Sequence, residues 1–291
     1  MRKLTNKIRW CVLLSCMAAA STCFLSPDSL EGASLQSTRS EAMGGVRLQF
    51  DGEASSSFLN PAAMGSMGAP VFYFDYTGED IREIKGAADI RPLKKLNISL
   101  LAGSREGQFR IFGLGFAVRL LSGTPDTYLN AGASARMLTG ITDDRRYPCC
   151  AGDLNNEGET GSISAGIIFR PLPSFSLRYM GEWVEGSSYT GVMGTGDYHR
   201  AGITFHILSG ILISLEREFL DGKTVSHYGF NLQTVLPIEI MTGYNSGRVS
   251  GGVRVTWRFL NSSVVFSENE EGGLHTRFSL EYTGVSDTGG S

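Results

Sequence analysis

The chain has 291 residues, 42% of them hydrophobic and 19% charged, with a formal net charge of −3. Its Lys and Arg are scattered, so no basic face could neutralise a row of phosphates, and nucleic acid is excluded as a partner. With 37 glycines against nine prolines, and no apolar run of spanning length past the first residues, the composition also excludes a helical membrane protein and a collagen-like repeat.

In chain order, the first element is an export signal. Arg2, Lys3, Lys7 and Arg9 precede an apolar stretch from Trp10 to Ala20, followed by small residues, which reads as a secretory signal peptide over 1–20 cleaved near Ala20. Cys16 and Cys23 each follow a short apolar or small-residue run and are alternative lipidation sites. A spanning helix is a third reading, opposed by the shortness of the stretch and the polar, turn-forming sequence after Leu25. With Cys11, Cys16 and Cys23 in or beside the signal, only the adjacent pair Cys149 and Cys150 remains, so no disulfide framework exists.

Residues 34–68 are rich in Gly, Ala, Ser and Met and show no strand period. From Val71 to Tyr282, by contrast, short segments alternate apolar with small or polar residues between Gly, Pro, Asn, Asp and Ser, the period-two signature of strands. Phe175, Leu177, Tyr179 and Trp183 share one face against Ser176, Arg178, Met180 and Glu182. Tyr228, Phe230 and Leu232 likewise oppose His227, Gly229, Asn231 and Gln233, and Val253, Val255 and Trp257 oppose Gly252, Arg254 and Thr256. Fourteen such segments can be counted, at 71–77, 81–90, 96–103, 108–120, 127–139, 161–170, 174–184, 198–207, 211–220, 225–235, 238–245, 249–258, 262–267 and 274–283. Charges at Arg82, Glu83, Lys85 and Asp89 make 81–90 the least strand-like, with a hatch or loop element as its alternative.

A soluble sandwich could use the same alternation. Three features select a membrane barrel instead: aromatic residues such as Tyr179, Trp183, Tyr244, Trp257 and Tyr282 placed toward segment ends, a polar face crowded with Gly and Ser that suits a wetted or loosely filled lumen, and the export signal. The fold class is therefore all-β, an antiparallel up-and-down transmembrane β-barrel of about 14 strands. The two longest connections, 140–160 and 185–197, fall on one rim, and the short turns at Pro171 to Pro173, Leu208 to Gly210 and Leu236 to Pro237 on the other. Leu177, Phe230 and Val255 are assigned to lipid, so Arg there is expected to be costly, whereas Arg at Ser176 or Asn231 is expected to be mild.

No nucleophile elbow, phosphate loop, dinucleotide fingerprint or metal-binding pattern is present, so neither an enzyme nor a cofactor nor a metal is indicated. His199, His206, His227 and His275 read as isolated residues on separate strands, lining the lumen or an interface. Asp143, Asp144, Asp153, Asn155, Asn156, Glu157 and Glu159 form an acidic stretch that reads as a solvated loop, with Ca²⁺ binding as the alternative.

Glu41-Ala42-Met43-Gly44-Gly45-Val46, Asp51-Gly52-Glu53-Ala54-Ser55 and Asn60-Pro61-Ala62-Ala63-Met64, followed near the other end by Met241-Thr242-Gly243-Tyr244-Asn245, Val264-Val265-Phe266-Ser267 and Gly273-Leu274-His275-Thr276-Arg277-Phe278, resemble the N-terminal and closing segments of the FadL superfamily. That superfamily comprises long-chain fatty-acid transporter-like outer-membrane barrels, including the PorV-type barrels linked to secretion and a spirochaetal branch. The resemblance implies a fourteen-stranded barrel with its N-terminal segment folded into the lumen as a hatch, and Asn60, Pro61 and Ala62 as the substrate gate. Turning the chain into the first strand is the alternative role for these three residues.

The chain then divides into a signal peptide 1–20, a hatch 34–68, a barrel 69–284 and a tail 285–291. The function implied is binding and diffusion of hydrophobic small molecules such as long-chain fatty acids, in the bacterial outer membrane. A non-transporting barrel that docks or shuttles exported proteins is the alternative, and the short chain favours it. The implied partners are the outer-membrane lipid bilayer, a hydrophobic small-molecule ligand and the barrel assembly machinery.

Overall fold

A computed structural model describes residues 37–49, 51, 53, 59–67, 70–77, 83–93, 95–105, 109–124, 126–140, 158–185, 198–208, 210–220, 223–245, 247–268 and 274–283. The signal peptide with its cysteines, Cys149 and Cys150, the acidic stretch except Glu159, and the tail lie outside the described residues.

All fourteen expected segments are strands: β1 (Val71–Thr77), β2 (Glu83–Leu93), β3 (Leu96–Arg105), β4 (Phe109–Thr124), β5 (Thr127–Gly140), β6 (Gly158–Leu172), β7 (Phe175–Glu185), β8 (Tyr198–Leu208), β9 (Ile211–Leu220), β10 (Lys223–Gln233), β11 (Ile238–Asn245), β12 (Arg248–Trp257), β13 (Leu260–Glu268) and β14 (Leu274–Thr283). Each pairs antiparallel with its sequence neighbour, and β1 closes on β14 through Val71 opposite Thr283 and Tyr76 opposite Phe278. Closure removes every sheet edge, which is how a β-structure satisfies its backbone in lipid. The charged segment at 81–90 is a full wall strand, β2, paired on both sides. Its Asp89 fits there because it points into the lumen, where it is buried.

Register divides the residues between two solvents. Outward positions carry Phe72, Phe74, Leu100, Phe112, Leu114, Ile163, Ile167, Leu177, Phe230, Val253 and Phe278, all exposed. Inward positions carry Asn130, Arg136, Arg178, Arg200, Glu216, His227, Arg254 and Glu281, all buried. Exposed apolar side chains all round a closed wall, with charges inside it, make a transmembrane barrel, because water would reverse that preference. Trp257 and Tyr282 sit outward at one rim and Trp183 toward the other, where amphipathic rings meet headgroups. Tyr179 is mid-strand rather than terminal and stacks on His199.

Connections 141–157 and 186–197 leave from the same rim, and short connections such as 173–174, 209–210 and 258–259 lie at the other. Both ends of the barrel, Val71 and Thr283, are at the short-turn rim, so the preceding segment enters the lumen from that side.

Candidate functional site: the hatch seated in the lumen

Two pieces of the N-terminal segment fill the barrel. The first is α1 (Thr38–Ala42), capped by Ser37, whose Oγ accepts from Ser40 N at 3.1 Å. After it the chain reverses through Gly44 and Gly45, with φ of 68° and 78°, values at which a side chain is strained. The second is a 3₁₀ turn, η1 (Pro61–Ser66), capped by Asn60, whose Oδ1 accepts from Ala62 N at 3.1 Å. Pro61 sits at its first position, where its missing N–H is no loss.

Each piece rests on a pair of wall glycines that face one another across adjacent strands. Gly229 on β10 is opposite Gly243 on β11, and a Cβ on Gly243 would fall 1.9 Å from Gly44 N and from Met43 C. Gly132 on β5 is opposite Gly166 on β6, where added Cβ atoms would meet Pro61 C at 2.5 Å and Asn60 Oδ1 at 2.0 Å. Gly115, Gly202 and Gly252 similarly make room for Met64, Leu48 and Ala42. The inward glycines expected to leave a wetted or loosely filled lumen thus serve the opposite purpose. They are recesses for the hatch backbone. Alternation alone cannot distinguish these cases, but the clustering of glycine on inward positions of β10 to β12 and β4 to β6 was the available signal.

Polar groups then tie the hatch to the wall. Glu216 accepts from Arg47 N at 2.8 Å and Leu48 N at 2.6 Å, and Arg200 donates to Gly45 O at 2.6 Å and to Glu216 at 3.1 Å, and also pairs with Glu218. His227 Nδ1 lies 2.9 Å from Gly44 O, so it is the donor, and Nε2 is 2.8 Å from Glu218. Arg178 pairs with Asp51 at 2.7 and 2.8 Å, Arg254 with Glu53 at 2.7 Å and Arg277 with Glu41 at 3.0 Å. Arg39 reaches both Glu53 and Glu239. Beside Arg277, on the adjacent strand β1, Asp75 accepts from the Thr38 hydroxyl at 2.8 Å. Burial pushes the Glu41 carboxyl up, but Arg277 and the hydrogen bonds from His275 and Ser267 outweigh it and bring it down to about 2.

The histidines are not all isolated. His199 and His206 share β8, His227 joins the Arg200 cluster and His275 reaches Glu41 at 3.4 Å. Between the polar ties lies an apolar interior, in which Met43, Val46, Leu59, Met64 and Met67 of the hatch pack with Tyr73, Leu101, Ile111, Met241 and Val265 of the wall.

Asn60, Pro61 and Ala62, expected at the gate, are together and fully buried on the Gly132 and Gly166 recess. Asn60 caps η1, Pro61 and Ala62 are its first residues, and β1 follows at Val71. Among the described residues, no group of His, Cys, Asp and Glu forms a metal-binding cluster.

No family model and no curated protein matches this sequence. Solved structures do. The CymD monoaromatic hydrocarbon channel superposes with a TM-score of 0.60 at 12% identity, over 85% of this chain and 97% of that one. The Pseudomonas putida toluene transporter TodX gives 0.58 at 10% identity, over 88% and 99%. The chain has the fold of FadL-type outer-membrane barrels. A Pseudomonas aeruginosa FadL homologue matches at a TM-score of 0.51 and 10% identity, over 85% of this chain and 98% of that one. The likeness of fold covers most of the chain, including the strands between the two ends at which the sequence resemblance is read.

Proposed function

We propose that this protein is a non-enzymatic outer-membrane channel for hydrophobic small molecules, in which the hatch is the movable element and Asn60, Pro61 and Ala62 form its gate. The observation that carries this reading is the apolar interior between hatch and wall. Displacing Met43, Met64 and Met67 from Leu101, Ile111 and Met241 exposes a surface that an apolar solute can wet and a sugar cannot. The Asn60 turn suits a gate because it touches the wall through backbone and one carboxamide over glycine, with no ion pair to break.

The solved channels of this fold include ones named for monoaromatic hydrocarbons and toluene, and the same class of solute fits here. Long-chain fatty acids fit by their tails, but their carboxylates must compete with Glu41, Asp51 and Glu53 for Arg277, Arg178 and Arg254. Uncharged solutes meet no such competition. Lipid contact through the apolar belt and passage down a concentration gradient are the only partners and driving force the mechanism requires.

The test is uptake into vesicles by the assembled barrel with residues 34–66 deleted, and by a double Asn60→Ala, Pro61→Ala variant. Deletion is expected to raise conductance and small-solute leak. The double variant is expected to change toluene uptake more than uptake of a small sugar. Unchanged conductance after deletion would overturn gating by the hatch and favour a docking role for a closed barrel.

A further inference from the structure

The lipid-facing belt is interrupted at one place. In the outward row that crosses β1 to β4, Phe74 is followed by Gly86, Ala102 and Phe112, each directly opposite the next. The next row toward the short-turn rim runs Phe72, Ala88, Leu100 and Leu114. Two aromatic rings therefore bracket Gly86 and Ala102 on two adjacent strands, and a concavity of about 1120 Å³ is lined by this outward row and by wall residues of inward register, Tyr73, Leu101 and Arg136 among them. Its register is continuous beneath, so it is a recess in an unbroken wall.

Nothing in the wall itself requires the recess. Gly86 does not adopt a positive φ, and a Cβ there would meet only Tyr73 O at 3.4 Å. At Gly132, Gly166, Gly229 and Gly243 glycine receives the hatch on the inner face; here it faces out and leaves room for something in the membrane. Above the recess, two residues before Phe112 and on the same outward face, stands Arg110. It is exposed and pairs in register with Ser104, and its side chain makes no hydrogen bond or ion pair among the described residues. It lies at the second position of β4 from the long-loop rim, the depth at which a lipid headgroup begins. A lipid phosphate at that depth offers this outward arginine a partner of opposite charge.

We infer that this recess is a specific site for one anionic lipid, whose headgroup phosphate pairs with Arg110 beside the Ser104 hydroxyl and whose acyl chain lies over Gly86 and Ala102 between Phe74 and Phe112. The charge sets the leaflet, which is the one on the long-loop side. The recess sets the register of the chain against the wall.

The test is native mass spectrometry of the full-length barrel in detergent, titrated with dimyristoyl phosphatidylglycerol, with dimyristoyl phosphatidylcholine, and with inorganic phosphate as competitor. One phosphatidylglycerol is expected to survive release from the micelle. Arg110→Gln is expected to weaken it about fivefold, the contribution of one juxtamembrane cation. A Gly86→Leu, Ala102→Leu variant, which fills the recess with side chains that belong in lipid, is expected to weaken it by at least about tenfold through loss of chain contact. Heat-modifiable migration confirms that both variants are closed barrels. Equal retention of the two lipids, or unchanged retention by the filled variant, overturns the proposal. Displacement by inorganic phosphate alone also overturns it, because the site then recognises an anion without a chain.

Discussion

Gly243 and Gly44 touch backbone to backbone: a Cβ on the wall residue would lie 1.9 Å from the hatch nitrogen. Neither atom belongs to a flexible side chain, so Gly243→Ala must move the hatch or the wall. We expect it to cost about 1–3 kcal/mol, the range for overpacking, and to render residues near Met43 cleavable in limited proteolysis of an otherwise closed barrel. Gly251→Ala, one strand away and facing out with only Met241 O at 3.5 Å, serves as the control and should leave the cleavage pattern unchanged.

Arg200 is fully buried between Glu216, Glu218 and the Gly45 carbonyl. Its removal leaves two carboxylates without their cation in a site closed to water. Arg200→Ala is expected to destabilise by about 3–5 kcal/mol in urea unfolding. A loss under 1 kcal/mol, about the value of an exposed pair, would show that water reaches the cluster.

The lipid assignment predicts a face-dependent cost for charge. Arg at Phe230 or Ile167, outward and well inside their strands, should destabilise by about 2–4 kcal/mol. Leu177 and Val255 lie nearer the short-turn rim and should cost less. The mild outcome expected for Arg at Ser176 or Asn231 does not survive the structure. Ser176 is fully buried and accepts from Arg178 Nε at 3.0 Å, and Asn231 donates to Glu239. Both substitutions should be destabilising through overpacking, and a neutral result in thermal unfolding would contradict a filled lumen.

The Glu41 latch carries a pH dependence with a defined sign. Its folded carboxyl is held down to about 2 against an ordinary 4.5, so the latch contributes fully above about 4.5 and is lost as pH falls from there toward 2. Protection of the hatch from protease should therefore be flat at neutral pH and decline below about 4.5. Glu41→Gln should be less protected at pH 7 and should lose that acid-dependent step. A wild-type decline centred near pH 6.5 would instead assign control to histidine.

Strand number, facing and rim asymmetry were legible because a barrel wall imposes one rule on every residue: alternate positions meet lipid. Phe230 and Val253 followed from that rule without any knowledge of their neighbours. β2 did not: its charges left a hatch or loop element as the alternative, and only its pairing with β1 and β3 fixes it as a wall strand. What Asn60 and Gly166 do to each other was not legible, since they lie 106 positions apart in the chain and no local period records a contact between a wall and a plug. The same holds for Arg110, whose outward position reads from β4 alone but whose recess exists only because Gly86 and Ala102, on two other strands, fall into its neighbourhood. By itself the sequence determined a membrane-spanning barrel with a non-strand segment ahead of it, because solvent exposure repeats with local period. Only the tertiary structure decided that the inward glycines hold a hatch rather than water, because that depends on which strands close upon which, and closure is a property of the whole chain.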